Sequence, residues 1–243
     1  FVAGHLPAAR ALGRRLADEL DDPAAFAAAT RKGLADLADP AYLAGQRLVA
    51  PGIGTTLGIR TPLLQAVVAG LRREVHGVGP ARLLAIADAL AREEICELRW
   101  MAIDVLRWIL PEDPERVWQV LRRIGREADD WITVDTLAGA AALGISLEPY
   151  RWAELEQLVF SPRPWERRLV GSTLANLPHV HDVGHIDAIV TRGLGLVGQL
   201  IGDAEPDVQA SLSWALRELA KLRPGAGGAF CREEAARAAA DDD

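Results

Sequence analysis

A single carboxylate interrupts the most apolar stretch of the chain. From Trp131 to Leu147 the sequence runs Trp-Ile-Thr-Val-Asp-Thr-Leu-Ala-Gly-Ala-Ala-Ala-Leu-Gly-Ile-Ser-Leu, and Asp135 is its only charged group. An ionised carboxylate left unpaired in an apolar interior is strongly disfavoured, so Asp135 is expected to meet a buried partner or to face a cleft. Trp131 lies four residues earlier, one helical turn away, so an aromatic ring and a negative charge project from the same side. The neighbouring acids Asp129 and Asp130 are explained by helix capping and need no chemical role.

Three further segments set polar or aromatic side chains against a bland background. Gly58-Ile59-Arg60-Thr61-Pro62 reads as a loop running into a helix, where free backbone N–H groups and an arginine could hold a phosphate. Trp165-Glu166-Arg167-Arg168 places Arg168 three residues after a tryptophan, and Ser213-Trp214-Ala215-Leu216-Arg217-Glu218 sets Trp214 among small and aliphatic groups. Each has an ordinary alternative, since tryptophan packs cores and arginine beside an acid forms surface pairs. His179, His181 and His185 have a spacing that could suit a metal, but Pro178 and the turn-like setting favour a solvated loop, and no metal is expected. Arg122, Arg123 and Arg126 read as a charged helix face. No phosphate-binding Gly-rich loop, Gly-x-Ser-x-Gly elbow, dinucleotide fingerprint or Cys-x-x-Cys pair occurs, so phosphoryl transfer and nucleotide-cofactor chemistry lack their usual parts.

The elements that must position these residues are helical. Apolar residues recur at three- and four-residue spacing almost throughout, and β-branched runs are short. The spacing predicts helices over 6–20, 23–37, 62–75, 80–91, 94–110, 112–126, 130–143, 149–160, 164–177, 183–201 and 206–222, with a short last one, separated by Pro or Gly. Thr61-Pro62 reads as an N-cap followed by a first helical residue. Helices of this length joined by short turns predict an all-α fold, a HEAT-like or armadillo-like solenoid of about six antiparallel helix pairs with a concave groove. A globular helical bundle is the alternative.

Composition agrees with one sizeable core or two small ones. Of 243 residues, 50% are apolar and 25% charged, which excludes a disordered or fibrous chain, and the expectation is a single domain over 1–243. Charged residues break every long apolar run, so no membrane span is expected. The two cysteines, Cys96 and Cys231, and the lack of a signal-peptide pattern point to a soluble, cytoplasmic protein. Net charge is −7, which argues weakly against an anionic partner such as nucleic acid; five acids against two arginines in 232–243 supply part of it, on a tail from 230 expected to fray.

Taken in order, Leu57-Gly58-Ile59-Arg60-Thr61-Pro62, the run from Glu97 to Leu106 (Glu-Leu-Arg-Trp-Met-Ala-Ile-Asp-Val-Leu), Trp131-Ile132-Thr133-Val134-Asp135, Trp165-Glu166-Arg167-Arg168 and the run from Ser213 to Lys221 resemble the DNA alkylation repair family of HEAT-like-repeat glycosylases, the AlkD type. The resemblance covers about Leu57 to Arg223. It implies a C-shaped helical solenoid that wraps double-stranded DNA and excises cationic N3- and N7-alkylated purines by cleaving the glycosidic bond, without metal or organic cofactor. By position, Asp135 matches the family's catalytic aspartate, and Trp131 and Trp214 match two aromatic residues that contact the lesion nucleotide. Arg168 matches an arginine near the lesion's backbone, and Arg60 and Thr61 fall where the loop meets DNA phosphates. Departures are Arg60, where glutamine can occur, the absence near Val49 of a tyrosine found upstream of that loop in some members, and the acidic balance.

These residue types suit the implied reaction. Alkylation makes the purine a cationic leaving group, and bond breaking leaves an oxocarbenium-like sugar that Asp135 would stabilise while orienting water. The expectation is thus a monomeric DNA-alkylpurine glycosylase acting on duplex DNA, with bulky adducts as an extension of its substrates. A non-catalytic scaffold binding DNA or protein is the alternative from another class, and a hydrolase built on the histidine cluster is a third.

Overall fold

The structure is a computed structural model that describes residues 1–180 and 186–241. Among these residues it is all-helical, with thirteen α-helices packed in pairs as in a helical-repeat solenoid. Acidic residues followed by proline start several of them. The N–H groups of Ala24 and Ala25 donate to Asp22 Oδ1 at 2.9 and 3.1 Å, and those of Ala41 and Tyr42 to Asp39 Oδ1 at 3.0 and 3.4 Å. Proline follows each cap, where its missing N–H leaves no hydrogen bond unmade.

Two compact units divide the chain, Phe1–Thr136 and Leu137–Asp243. The first contains α1 (Val2–Leu16), a 3-10 turn (Ala17–Glu19), α2 (Pro23–Ala35), α3 (Pro40–Val49), α4 (Thr61–Glu74), α5 (Pro80–Ala91), α6 (Cys96–Ile109), α7 (Pro114–Glu127) and the first residues of α8 (Trp131–Leu147). Here α1 pairs with α4, and α5 with α6. Helix α6 also touches α2, α4 and α7, and ten of its side chains are buried, from Cys96 to Ile109, so it is the spine of this unit.

In the second unit, α8 leads to a 3-10 turn (Pro149–Arg151), α9 (Trp152–Leu158), α10 (Pro164–Asn176), a 3-10 turn (Leu177–His179), α11 (Ile186–Leu200), α12 (Pro206–Leu222) and α13 (Pro224–Asp241). Helix α10 pairs with α12, and α11 and α13 flank α12. The helix pair α10 and α12 meets at Gly171, where an added Cβ would stand 2.3 Å from Ser211 Oγ and 2.8 Å from the Ser211 carbonyl carbon. Only a residue without a side chain permits that approach.

Several boundaries differ from expectation. Helix α3 was not anticipated, and the segment expected to run as one helix over 149–160 divides into a 3-10 turn and the seven-residue α9. The terminal segment expected to fray is helical through Asp241 and mostly exposed, consistent with its alanine content. Cys96 is buried and Cys231 exposed, both as free thiols. No helix among the described residues is long and apolar enough to cross a membrane.

Candidate functional site

Helix α8 carries Asp135 on a half-buried face. Along the helix Trp131, Ile132, Asp135, Thr136, Gly139 and Leu143 are half-buried, whereas Thr133, Val134, Leu137, Ala138, Ala140, Ala141 and Ala142 are buried. The half-buried set follows three- and four-residue spacing, so it forms one stripe with Trp131 a turn above Asp135. A short relay sets the orientation of that stripe. Trp100 Nε1 on α6 donates to Thr133 Oγ1 at 2.9 Å, the Thr133 hydroxyl donates to Asp130 Oδ2 at 2.6 Å, and the Thr133 N–H donates to Asp130 Oδ1 at 2.8 Å. Asp130, 2% exposed, therefore caps α8 as its sequence position suggests, and the same contacts tie the helix start to the spine of the first unit.

Arg60 and Thr61 lie together at the start of α4. Arg60 is the N-cap and Thr61 the first helical residue, and no side chain caps this end. The expected capping by Thr61 is thus corrected by one position; its hydroxyl instead lies 3.5 Å from the Tyr42 hydroxyl. Arg60 Nε donates to Asp39 Oδ2 at 2.7 Å, and its guanidinium stands 5.2 Å from the centre of the Tyr42 ring. That guanidinium, followed by the N–H groups of Tyr42 and Ala41, holds the Asp39 carboxyl below the usual carboxylate range against the opposing effect of burial. Asp39 therefore both caps α3 and aims Arg60.

In the second unit, Arg168 on α10 is 6% exposed, and its Nη1 donates to the Asp207 carbonyl oxygen at 2.7 Å, in the first turn of α12. Trp214 lies two turns further along α12 and is half-buried. One turn beyond it the nearly buried Glu218 accepts from Lys221 Nζ at 2.7 Å and pairs with His179 Nε2 at 3.2 Å. Lys221, then His179, holds the Glu218 carboxyl below its usual range. The adjoining Arg167 Nε donates to Asp203 Oδ2 at 2.5 Å, and its Nη1 donates to the Ser161 carbonyl at 2.8 Å, so it fastens together the loops that lead into α10 and α12.

With these positions known, a comparison with protein-family profiles matches residues 30–240 to the family described as DNA alkylation repair enzyme. The chain belongs to the DNA alkylation repair enzyme family. Its role is in DNA alkylation repair, and its partner is DNA. No curated protein matches the chain.

In this DNA alkylation repair enzyme, Tyr42 and Asp39 belong with the Arg60 loop although sequence reading passed over both. Tyr42, near the start of α3, stands beside the loop, its hydroxyl 3.5 Å from that of Thr61. The signal was present as Asp39-Pro40, the same cap-and-proline pattern that marks other helix starts. Of the histidine cluster, His179 is engaged with Glu218, and His181 and His185 lie outside the described residues.

Proposed function

We propose that this repair enzyme is a DNA glycosylase of the AlkD type that excises cationic N3- and N7-alkylated purines from duplex DNA. The observation that carries the reading is Asp135 on the half-buried stripe of α8, one turn from Trp131 and held in register by the Trp100–Thr133–Asp130 relay. Asp135 stabilises the positive charge that develops on the deoxyribose and orients the attacking water. The bond between C1′ and the purine nitrogen breaks, its electron pair neutralises the cationic base, and the water oxygen bonds to C1′ as its proton is lost. A carboxylate about 4 Å from that charge, at an effective dielectric of about 20, contributes about 4 kcal/mol, close to a thousandfold in rate.

Trp131 and Trp214 offer aromatic faces to the cationic nucleotide and its sugar. Arg60 and Thr61 contact DNA phosphates. The uncapped start of α4 supports that role, as does a guanidinium whose Nε is occupied by Asp39 while Nη1 and Nη2 make no hydrogen bond among the described residues. Arg168 stands near the lesion's backbone at the start of α12. No cofactor takes part in this scheme, and the enzyme acts as a monomer in the cytoplasm.

Incubation with duplex DNA containing 7-methylguanine or 3-methyladenine is expected to release the free base. Asp135→Asn is expected to slow release by about a thousandfold with little change in duplex binding. Full activity in that variant overturns the assigned mechanism. A wild-type protein that binds duplex without releasing base is instead a DNA-binding scaffold.

A further inference from the structure

The loop that delivers Arg60 is wrapped around a carboxylate from another helix. Glu97, the second residue of α6, is 0% exposed. Its Oε1 accepts the Thr56 hydroxyl at 2.6 Å and the N–H groups of Leu57, Gly58 and Ile59 at 3.1, 2.9 and 3.2 Å, and Oε2 accepts the Leu57 N–H at 3.1 Å. Three successive backbone N–H groups converging on one anion form a nest, a concavity that ordinarily holds an external anion. Here the protein's own carboxylate fills it.

The conformation that makes the nest is a demanding one. Gly58 has φ +78°, in the left-handed region, and an added Cβ would stand 2.6 Å from Leu43 Cβ on α3. Its carbonyl accepts the Asp39 N–H at 3.1 Å, and the Cys96 N–H at the head of α6 donates to the Thr55 carbonyl at 2.8 Å. Ile59 is buried, and the next residue is Arg60. A fixed path thus leads from the α6 carboxylate through three peptide groups to the guanidinium and to the first turn of α4.

We propose that Glu97 is a positioning residue for DNA binding: by filling the nest of 57–59 it sets the direction in which Arg60 and Thr61 meet the phosphate backbone. The inference rests on the DNA-contact reading of Arg60 and is independent of the chemistry at Asp135. It also carries a sign that simple electrostatics reverses. Removing a negative charge near DNA ordinarily strengthens binding, whereas losing the nest anion releases the loop and weakens it.

The test is a double-mutant cycle on binding to unmodified duplex DNA, with Glu97→Ala, Arg60→Ala and the two combined, alongside base release from methylated duplex. Glu97→Ala is expected to weaken binding about tenfold and to lower the slope of log affinity against log salt by about one, as loss of one phosphate contact does. The combined variant should be no weaker than Arg60→Ala alone. Glu97→Gln, which returns an oxygen to the nest without its charge, should keep a smaller loss of about threefold that is again absent in the Arg60→Ala background. Base release by Glu97→Ala should show a raised KM with kcat unchanged. Wild-type binding by Glu97→Ala, or losses that add independently of Arg60, overturns the proposal. Should Glu97→Ala not fold, the same cycle run with Glu97→Gln decides, because the amide gives the three N–H donors no charge assistance. If the wild-type protein binds duplex but releases no base, the glycosylase reading fails while the cycle still decides the role of Glu97.

Discussion

Asp39 shows how one side chain can couple a helix start to a binding group. Its carboxylate closes the first turn of α3 and also holds Arg60. Because its folded-state pKa is depressed, first by Arg60 and then by the backbone donors, its contribution to stability is present above the ordinary carboxylate range of about 3.9 and is lost as pH falls through the lower folded value. Asp39→Asn should therefore be less stable than wild type at pH 5 to 7, with the gap closing on acidification below about pH 4. Denaturant midpoints measured across that range check this, and a gap that stays constant down to about pH 2 sinks it. The proposed role of Asp135 belongs to the same scale, with its expected effect on rate rather than on stability, and the contrast between the two acids follows from their surroundings. One is nearly buried against a guanidinium, and the other lies on a half-buried stripe of α8.

At the scale of elements, the site residues are carried by helices whose positions depend on close backbone contacts and caps. Helix α12 bears Trp214 and is seated on α10 through Gly171 and Ser211. Gly171→Ala would drive a methyl group to 2.3 Å from Ser211 Oγ and 2.8 Å from its carbonyl carbon, and the backbone cannot yield as a flexible side chain would. The expected outcome is a loss of about 1 to 3 kcal/mol in stability, read by urea unfolding, with weaker base release as the indole of Trp214 shifts. Gly171→Ala combined with Ser211→Gly, which removes the clashing hydroxyl, should recover part of the loss. No loss in the single variant would mean that the two helices separate easily.

The whole molecule carries a net charge of −7, so its affinity for DNA must come from a few placed cations rather than from its overall field. Many arginines are already paired among the described residues, including Arg31 with Glu93, Arg123 with Asp88, Arg167 with Asp203 and Arg192 with Glu156, and Arg60 and Arg168 themselves lie beside Asp39 and Asp207. With Arg60 and Arg168 as the proposed phosphate contacts, log affinity for duplex DNA should fall with log salt with a slope of about −2, against about −6 to −9 for a protein making many contacts. Titration over a range of sodium chloride concentrations measures this. A slope near zero removes the phosphate contacts, and a steep one means that further basic groups take part.

What the sequence by itself determined was local. Three- and four-residue periodicity assigns helices because burial of a stripe is a property of the helix that bears it, and the lone charge in 131–147 marks Asp135 because no neighbour within the segment neutralises it. Trp131 and Asp135 share a face for the same reason. Tertiary structure decided which distant groups meet. Glu97 looks in sequence like any surface acid near a helix start, and only the return of the 56–59 loop to α6 turns it into a buried anchor. The partnership of Tyr42 and Asp39 with Arg60 needs α3 to lie beside the loop that enters α4, and the Asp207 carbonyl that holds Arg168 lies 39 residues further along the chain. Hydrogen bonds across such separations depend on packing between elements, for which periodicity along one element carries no information.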